Sequence, residues 1–168
     1  MLSKLTKEEK QKAMSSLIFL TEKRDGTMKA RACVNGSTQR LYINKEEAAS
    51  PAVSMDTLLT TAVIDATQNR DVITLDIPNT FMQTPMPKSH QKVIARINRL
   101  LVYYLEEIYL ETYSKYIIHQ NNTKVLYVEM KKALYGMILS SLLFYKHFCK
   151  DLESIGFKVN DIRSCRIG

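Results

Sequence analysis

Residues 72–87 read VITLDIPNTFMQTPMP and place a single acid, Asp76, within an alternating apolar run. At the period of two that a strand imposes, Val72, Thr74 and Asp76 share one face while Ile73, Leu75 and Ile77 share the other. The pattern predicts a strand over residues 72–77. It ends at Pro78, which has no amide hydrogen to give to a ladder. An ionised carboxylate at the end of such a strand calls for a cation, so Asp76 is the leading candidate for a site. Pro78, Pro85 and Pro87 then limit any helix around Phe81 to little more than one turn.

Working upstream, Met55, Leu58, Leu59, Ala62, Val63 and Ala66 follow the spacing of one helix face, with Ser54 as its cap. This predicts a packed helix that passes through the polar residues 68–71 into the Asp76 strand. Nearer the amino end, Thr6 and Glu9 form a capping box for a short polar helix, and residues 17–22 read as a strand. Asp25 and Gly26 make a hairpin turn. The return strand sets Met28, Ala30, Ala32 and Val34 on one face and Lys29, Arg31 and Cys33 on the other.

Downstream, residues 92–97 predict a strand, residues 99–116 a helix and residues 120–123 a turn. That helix carries Tyr103, Tyr104, Tyr109, Tyr113 and Tyr116. Tyrosines can stack on bases, but packing in the core with wet hydroxyls is the simpler expectation. Residues 125–130 predict a strand that enters a turn at Leu134, Tyr135 and Gly136. A helix over residues 140–155 follows, burying Leu142, Phe148, Cys149 and Leu152 and ending at Gly156. No linker, repeat or low-complexity segment intervenes, which points to one α+β unit with mostly antiparallel pairing and packed helices.

The chain's 168 residues suit one domain, and 45% hydrophobic residues are enough to build a core. Lys and Arg total 24 against 17 acids; the net charge of +7 favours polyanions without requiring a nucleic-acid partner. Cys33, Cys149 and Cys165 are widely spaced and read as free thiols of a reducing compartment. The apolar run at residues 100–105 falls far short of the roughly 20 residues that cross a bilayer. SSLIFL at residues 15–20 lacks the flanks of a signal peptide. The expectation is an intracellular protein, cytoplasmic or nuclear, neither secreted nor membrane-bound. His90, His119 and His147 are scattered and form no nucleophile or metal constellation.

Several of these stretches together resemble the reverse transcriptase, or RNA-directed DNA polymerase, of copia-type long-terminal-repeat retrotransposons. Residues 72–87 resemble its first catalytic motif, close to M-D-V-K-T-A-F-L-N-G, with Asp76 on the metal-binding aspartate and Phe81 on the aromatic residue five positions later. KRDGTMKARACVNGSTQ (residues 23–39) is similar to K-R-D-G…K-A-R-L-V-A-K-G-x-T-Q. ASPAVSMDTLLTTAV (residues 49–63) looks like the helix entry F-S-P-V-V-R-x-x-T-I-R. ALYGMILSSLLFY (residues 133–145) aligns without gaps on S-L-Y-G-L-K-Q-S-P-R-A-W-Y, keeping Leu134, Tyr135, Gly136, Ser140 and Tyr145. SIGFKVND (residues 154–161) resembles the L-G-F segment beyond it. These landmarks run in the family's order over about residues 17–161.

The resemblance implies fingers and a partial palm: a single, incomplete reverse transcriptase domain over residues 1–168. It implies two-metal nucleotidyl transfer from a deoxynucleoside triphosphate on an RNA/DNA template-primer. Asp76 would bridge two Mg²⁺ ions and the carbonyl of Ile77 would help the second. Phe81 would lie beneath the deoxyribose and exclude a 2′ hydroxyl, Gly136 would admit close approach of backbone to nucleotide, and Lys29 and Arg31 would lie over the triphosphate. Read without the resemblance, Phe81 is equally a core residue, Gly136 a turn glycine, and Lys29 and Arg31 a solvated face.

The chain also departs from the family. Ile138, Leu139, Ser141 and Leu142 stand where Lys-Gln and Pro-Arg are usual, and Pro78 replaces a commonly basic position. The family's other two catalytic carboxylates lie in a Y-V-D-D-like hairpin, and no Asp-Asp pair occurs in this sequence. The chain stops before such a hairpin and its final DIRSCRIG no longer follows the family, so the expectation is a truncated or frame-disrupted copy. Such a fragment would be inactive alone and would bind Mg²⁺ weakly or not at all, with the remainder of the retrotransposon polyprotein as a candidate partner. The alternative is a non-catalytic, basic nucleic-acid-binding remnant that uses Lys29, Arg31, Lys131 and Lys132.

Overall fold

The computed structural model describes residues 5–88 and 92–158. Residues 159–161 of the last landmark, Cys165 and His90 lie outside the described residues. Helix α1 (Lys7–Lys12) starts at the expected capping box: the Thr6 hydroxyl accepts from Glu9 N–H and the Glu9 carboxylate accepts from Thr6 N–H. Strands β1 (Met14–Glu22) and β2 (Met28–Val34) follow, paired antiparallel from Ser16 opposite Val34 to Glu22 opposite Met28. Their turn uses Gly26 at φ +79°, a left-handed conformation that glycine adopts without a Cβ clash.

Strand β3 (Ile94–Asn98) joins β1 in parallel and β5 (Thr123–Glu129) antiparallel, and β4 (Ile117–Gln120) completes the sheet on the other side of β5. The order β2-β1-β3-β5-β4 gives a five-stranded, mostly antiparallel sheet within an α+β fold. Neighbours Ala13 and Met14 point to opposite faces and mark two apolar clusters. Ala13, Ile94, Val125 and Tyr127 form one; Met14, Val34, Ala95 and Met137 form the other.

The predicted helix over residues 99–116 divides into α5 (Leu100–Ile108), α6 (Leu110–Tyr113) and a 3₁₀ turn (Ser114–Tyr116), because Tyr109 leaves the helical region at φ −141°, ψ 64°. A continuous helix of that length would run about 27 Å beside strands of about 17–23 Å. The break lets the chain return as β4, a strand the periodicity did not reveal. The β4–β5 hairpin turns on Asn121 and Asn122, both at positive φ. The tyrosines are not core residues: Tyr103, Tyr104 and Tyr109 are exposed, while Tyr113 and Tyr116 are half-buried. Val102 supplies the buried contact of α5 instead.

Helix α7 (Ser140–Ser154) ends as expected, with Gly156 at φ +96° and its N–H on Glu153 O, and Phe157 N–H on Leu152 O. Leu143 is its buried apolar residue, whereas Leu142, Phe148, Cys149 and Leu152 are half-buried. Cys33 and Cys149 are free thiols. Among the described residues no helix is long and apolar enough to cross a membrane.

Residues 49–77 depart most from expectation. Short α2 (Lys45–Ala48) precedes them. Helix α3 (Met55–Thr67) forms with the Ser54 hydroxyl accepting from Thr57 N–H, but it buries none of its residues, so it is capped rather than packed. Residues 71–77 form no strand: Val72, Ile73 and Leu75 are 69–81% exposed and Asp76 is exposed. Alternation specifies which face a strand would bury, but a strand exists only through a ladder of paired backbone groups. No described strand takes this segment as a neighbour. The proline limit holds, since α4 (Thr80–Gln83) is a single turn.

Candidate nucleotide site

Three segments far apart in sequence converge beside β2. Val34 at the end of that strand donates its N–H to Tyr135 O at 2.8 Å, forming a bridge between Cys33 and Tyr135. One turn further on, the side chain of Gln39 is buried in the 3₁₀ segment Gly36–Leu41, where its Oε1 accepts from Ile138 N–H at 2.9 Å. The Ser140 hydroxyl closes the 133–140 loop by donating to Leu134 O at 2.6 Å. Thr84, behind α4, accepts Ala133 N–H on its carbonyl at 2.9 Å, and Pro85 bridges Lys132.

Gly136 sits where these segments meet, at φ +90°. A Cβ there would stand 1.9 Å from Val34 O, and a Cβ on Gly36 would stand 2.2 Å from Gly136 O. Two backbones therefore approach more closely than any side chain allows. The space that glycine leaves at residue 136 is occupied by this chain's own Val34 carbonyl, which gives Gly136 a structural role independent of any nucleotide. Phe81, half-buried on α4, packs its ring 4.8 Å from Tyr135 and 6.4 Å from Phe144, which stacks on Phe148 at 5.6 Å. Phe81 and Gly136 are thus brought to one place through Tyr135.

The remaining predicted residues stand apart. Asp76 is exposed on the irregular segment and carries no hydrogen bond or ion pair among the described residues; Ile77 beside it is half-buried. Lys29 and Arg31 are exposed on β2, on the face shared with Cys33. Lys131 pairs with Glu129 at 2.7 Å, and that hydrogen bond holds the Glu129 carboxyl below its ordinary value despite some desolvation. Among the described residues no group of three or more His, Cys, Asp or Glu side chains gathers. Asp65 is engaged by Arg70 at 3.6 Å. These donors do not fit a two-ion Mg²⁺ centre, which needs several convergent oxygens.

Sequence reasoning did not single out Gln39. Its signal was weak: it closes the T-Q end of the second landmark, and nothing local marks a glutamine for burial. In comparisons with known proteins, no family model, no curated protein and no solved structure matches the chain.

Proposed function

We propose that the chain is a portion of a copia-type retrotransposon reverse transcriptase, comprising fingers and part of a palm, without polymerase activity by itself. The observation that carries this reading is the meeting of two landmarks recognised separately in the sequence. The stretch ending in Val34, Gly36 and Gln39 locks onto the stretch holding Tyr135, Gly136 and Ile138 through Val34 N–H to Tyr135 O, Ile138 N–H to Gln39 Oε1 and the paired glycines. Phe81, from the motif over residues 72–87 that carries Asp76, packs on the same Tyr135. In this reading Asp76 supplies one of the carboxylates for Mg²⁺, and the others come from residues outside this sequence. Lys29 and Arg31, exposed on the strand that leads into the lock, face the nucleotide phosphates, and template-primer and deoxynucleoside triphosphate are the ligands.

The test is primer extension on poly(rA)/oligo(dT) with Mg²⁺. The chain alone should extend nothing. Joined to the Y-V-D-D-bearing half of a copia-type palm, it should extend the primer, and Asp76→Asn in that fusion should return extension to background. A soluble, folded fusion that stays inactive, or whose activity ignores Asp76→Asn, sinks the reading. Extension by the chain alone that Asp76→Asn abolishes would show that a working metal site needs no further carboxylates.

A further inference from the structure

Away from the glycine lock, two adjoining grooves lie where α1 ends and β3 begins. One, of about 240 Å³, is lined by Lys12, Tyr42 and Lys92; the other, of about 480 Å³, is lined by Lys88, Lys92 and Lys131 around Glu129. They adjoin at Lys92 and Val93, which line both. The floor is held by backbone bonds, Met130 N–H to Val93 O at 2.8 Å and Met86 N–H to Lys131 O at 2.9 Å. Four lysines from three chain segments, Lys12, the stretch holding Lys88 and Lys92, and Lys131, are therefore placed along a concave track.

Few acids balance them. Glu129 takes Lys131 as its hydrogen-bond partner and also feels Lys92. Glu9, at the rim of the smaller groove, has its carboxylate engaged by Thr6 N–H in the helix cap. Among the described residues Lys88 has no ion pair, and Lys12 lies over the Tyr42 ring at 5.8 Å from its centre. Burial raises the Tyr42 pKa, and the phenol stays neutral beside these cations. An acidic peptide would satisfy the lysines but has no use for an aromatic platform. A basic track with a partly exposed ring at one end is the pairing that proteins use for single-stranded nucleic acid, with cations following phosphates and the ring stacking on a base.

We propose that this double groove binds a single strand of nucleic acid, with Lys12, Lys88, Lys92 and Lys131 contacting its phosphates and Tyr42 stacking on a base. The site needs neither Asp76 nor a metal ion, so it stands or falls separately from the polymerase reading.

The experiment is fluorescence anisotropy of the full chain with a labelled oligothymidylate of about 15 nucleotides in EDTA, across a salt series. Replacing Lys88 and Lys92 by Gln should weaken binding about tenfold or more, and the log–log salt slope should fall by about 0.7 for each lysine removed. Tyr42→Ala should weaken binding about tenfold with an unchanged slope, and Tyr42→Phe, which keeps the ring, should bind as the parent does. Circular dichroism of each variant establishes that it is folded. Three results would overturn the proposal: no binding by the folded chain at low salt; binding untouched by the lysine substitutions but removed by Lys29→Gln with Arg31→Gln; or tripolyphosphate bound in preference to the oligonucleotide with no effect of Tyr42→Ala.

Discussion

Two regions of this molecule that both stand out in the sequence differ sharply in packing. The 133–140 loop and the end of β2 meet backbone to backbone, with Gly36, Gln39, Ala133, Met137 and Ser140 all buried. Residues 49–77 contain a well-capped amphipathic helix and an alternating apolar run, yet Leu58, Leu59 and Val63 stand exposed and Leu75 is 80% exposed. The difference separates two properties that a sequence pattern tends to merge. Capping and periodicity are local and mark α3 in the sequence, whereas burial requires a second surface of matching shape.

The largest effect expected from breaking the packed side comes from Gly136→Ala. The new Cβ meets Val34 O at 1.9 Å in a left-handed conformation, so backbone strain and overpacking act together. A loss of about 4 kcal/mol is expected in urea unfolding. Gly26→Ala serves as the control: its φ is also positive, but nothing lies within 4 Å, and strain alone should cost about 1–2 kcal/mol. Similar losses for the two variants would mean that the lock between β2 and the 133–140 loop is absent in solution.

A matched pair of leucines sharpens the comparison at a smaller scale. Leu126 on β5 is fully buried, and Leu126→Ala should cost about 3 kcal/mol through lost transfer energy and the cavity left behind. Leu59 on α3 is 59% exposed, and Leu59→Ala should change stability by no more than about 0.5 kcal/mol. If the Leu59 variant loses as much as the Leu126 variant, α3 is packed in solution and the contrast between the two regions fails.

How much the sequence disclosed follows the same division. The Thr6–Glu9 box, the Asp25-Gly26 hairpin with its two faces, the Ser54 cap and the Gly156 terminus all rest on contacts within a few residues, and all are present. The strand over residues 72–77 and the buried tyrosines of residues 99–116 required partners that no local pattern specifies. The lock was only half legible. Gly136 stood out as a turn glycine, but its true neighbour, Val34 O, lies about a hundred residues earlier in the chain, and the burial of Gln39 depends on the same distant contact. For the site, Phe81 and Gly136 were placed near one another by resemblance and are joined through Tyr135, while Asp76 sits on a segment that pairs with nothing described.

The smallest effect tests the local side of the comparison through pH. Asp25 sits in the β1–β2 turn, where its Oδ1 accepts from the Thr27 hydroxyl at 2.6 Å and from Thr27 N–H at 3.0 Å. These bonds, the hydroxyl first, hold its carboxyl below the ordinary value of 3.8. A depressed folded-state pKa means that the ionised form favours the folded turn. That contribution is complete above the ordinary carboxylate range and disappears as pH falls through the lowered value. Protection of the Thr27 amide should therefore hold through neutral pH and decline only in acid below 3.8, and Asp25→Asn should remove the dependence. Because the turn is exposed and local, the global unfolding midpoint should scarcely move. An acid transition that instead carried the whole sheet with it would mean that the hairpin is tied to the core as tightly as the Gly136 lock, and local chemistry would no longer account for it.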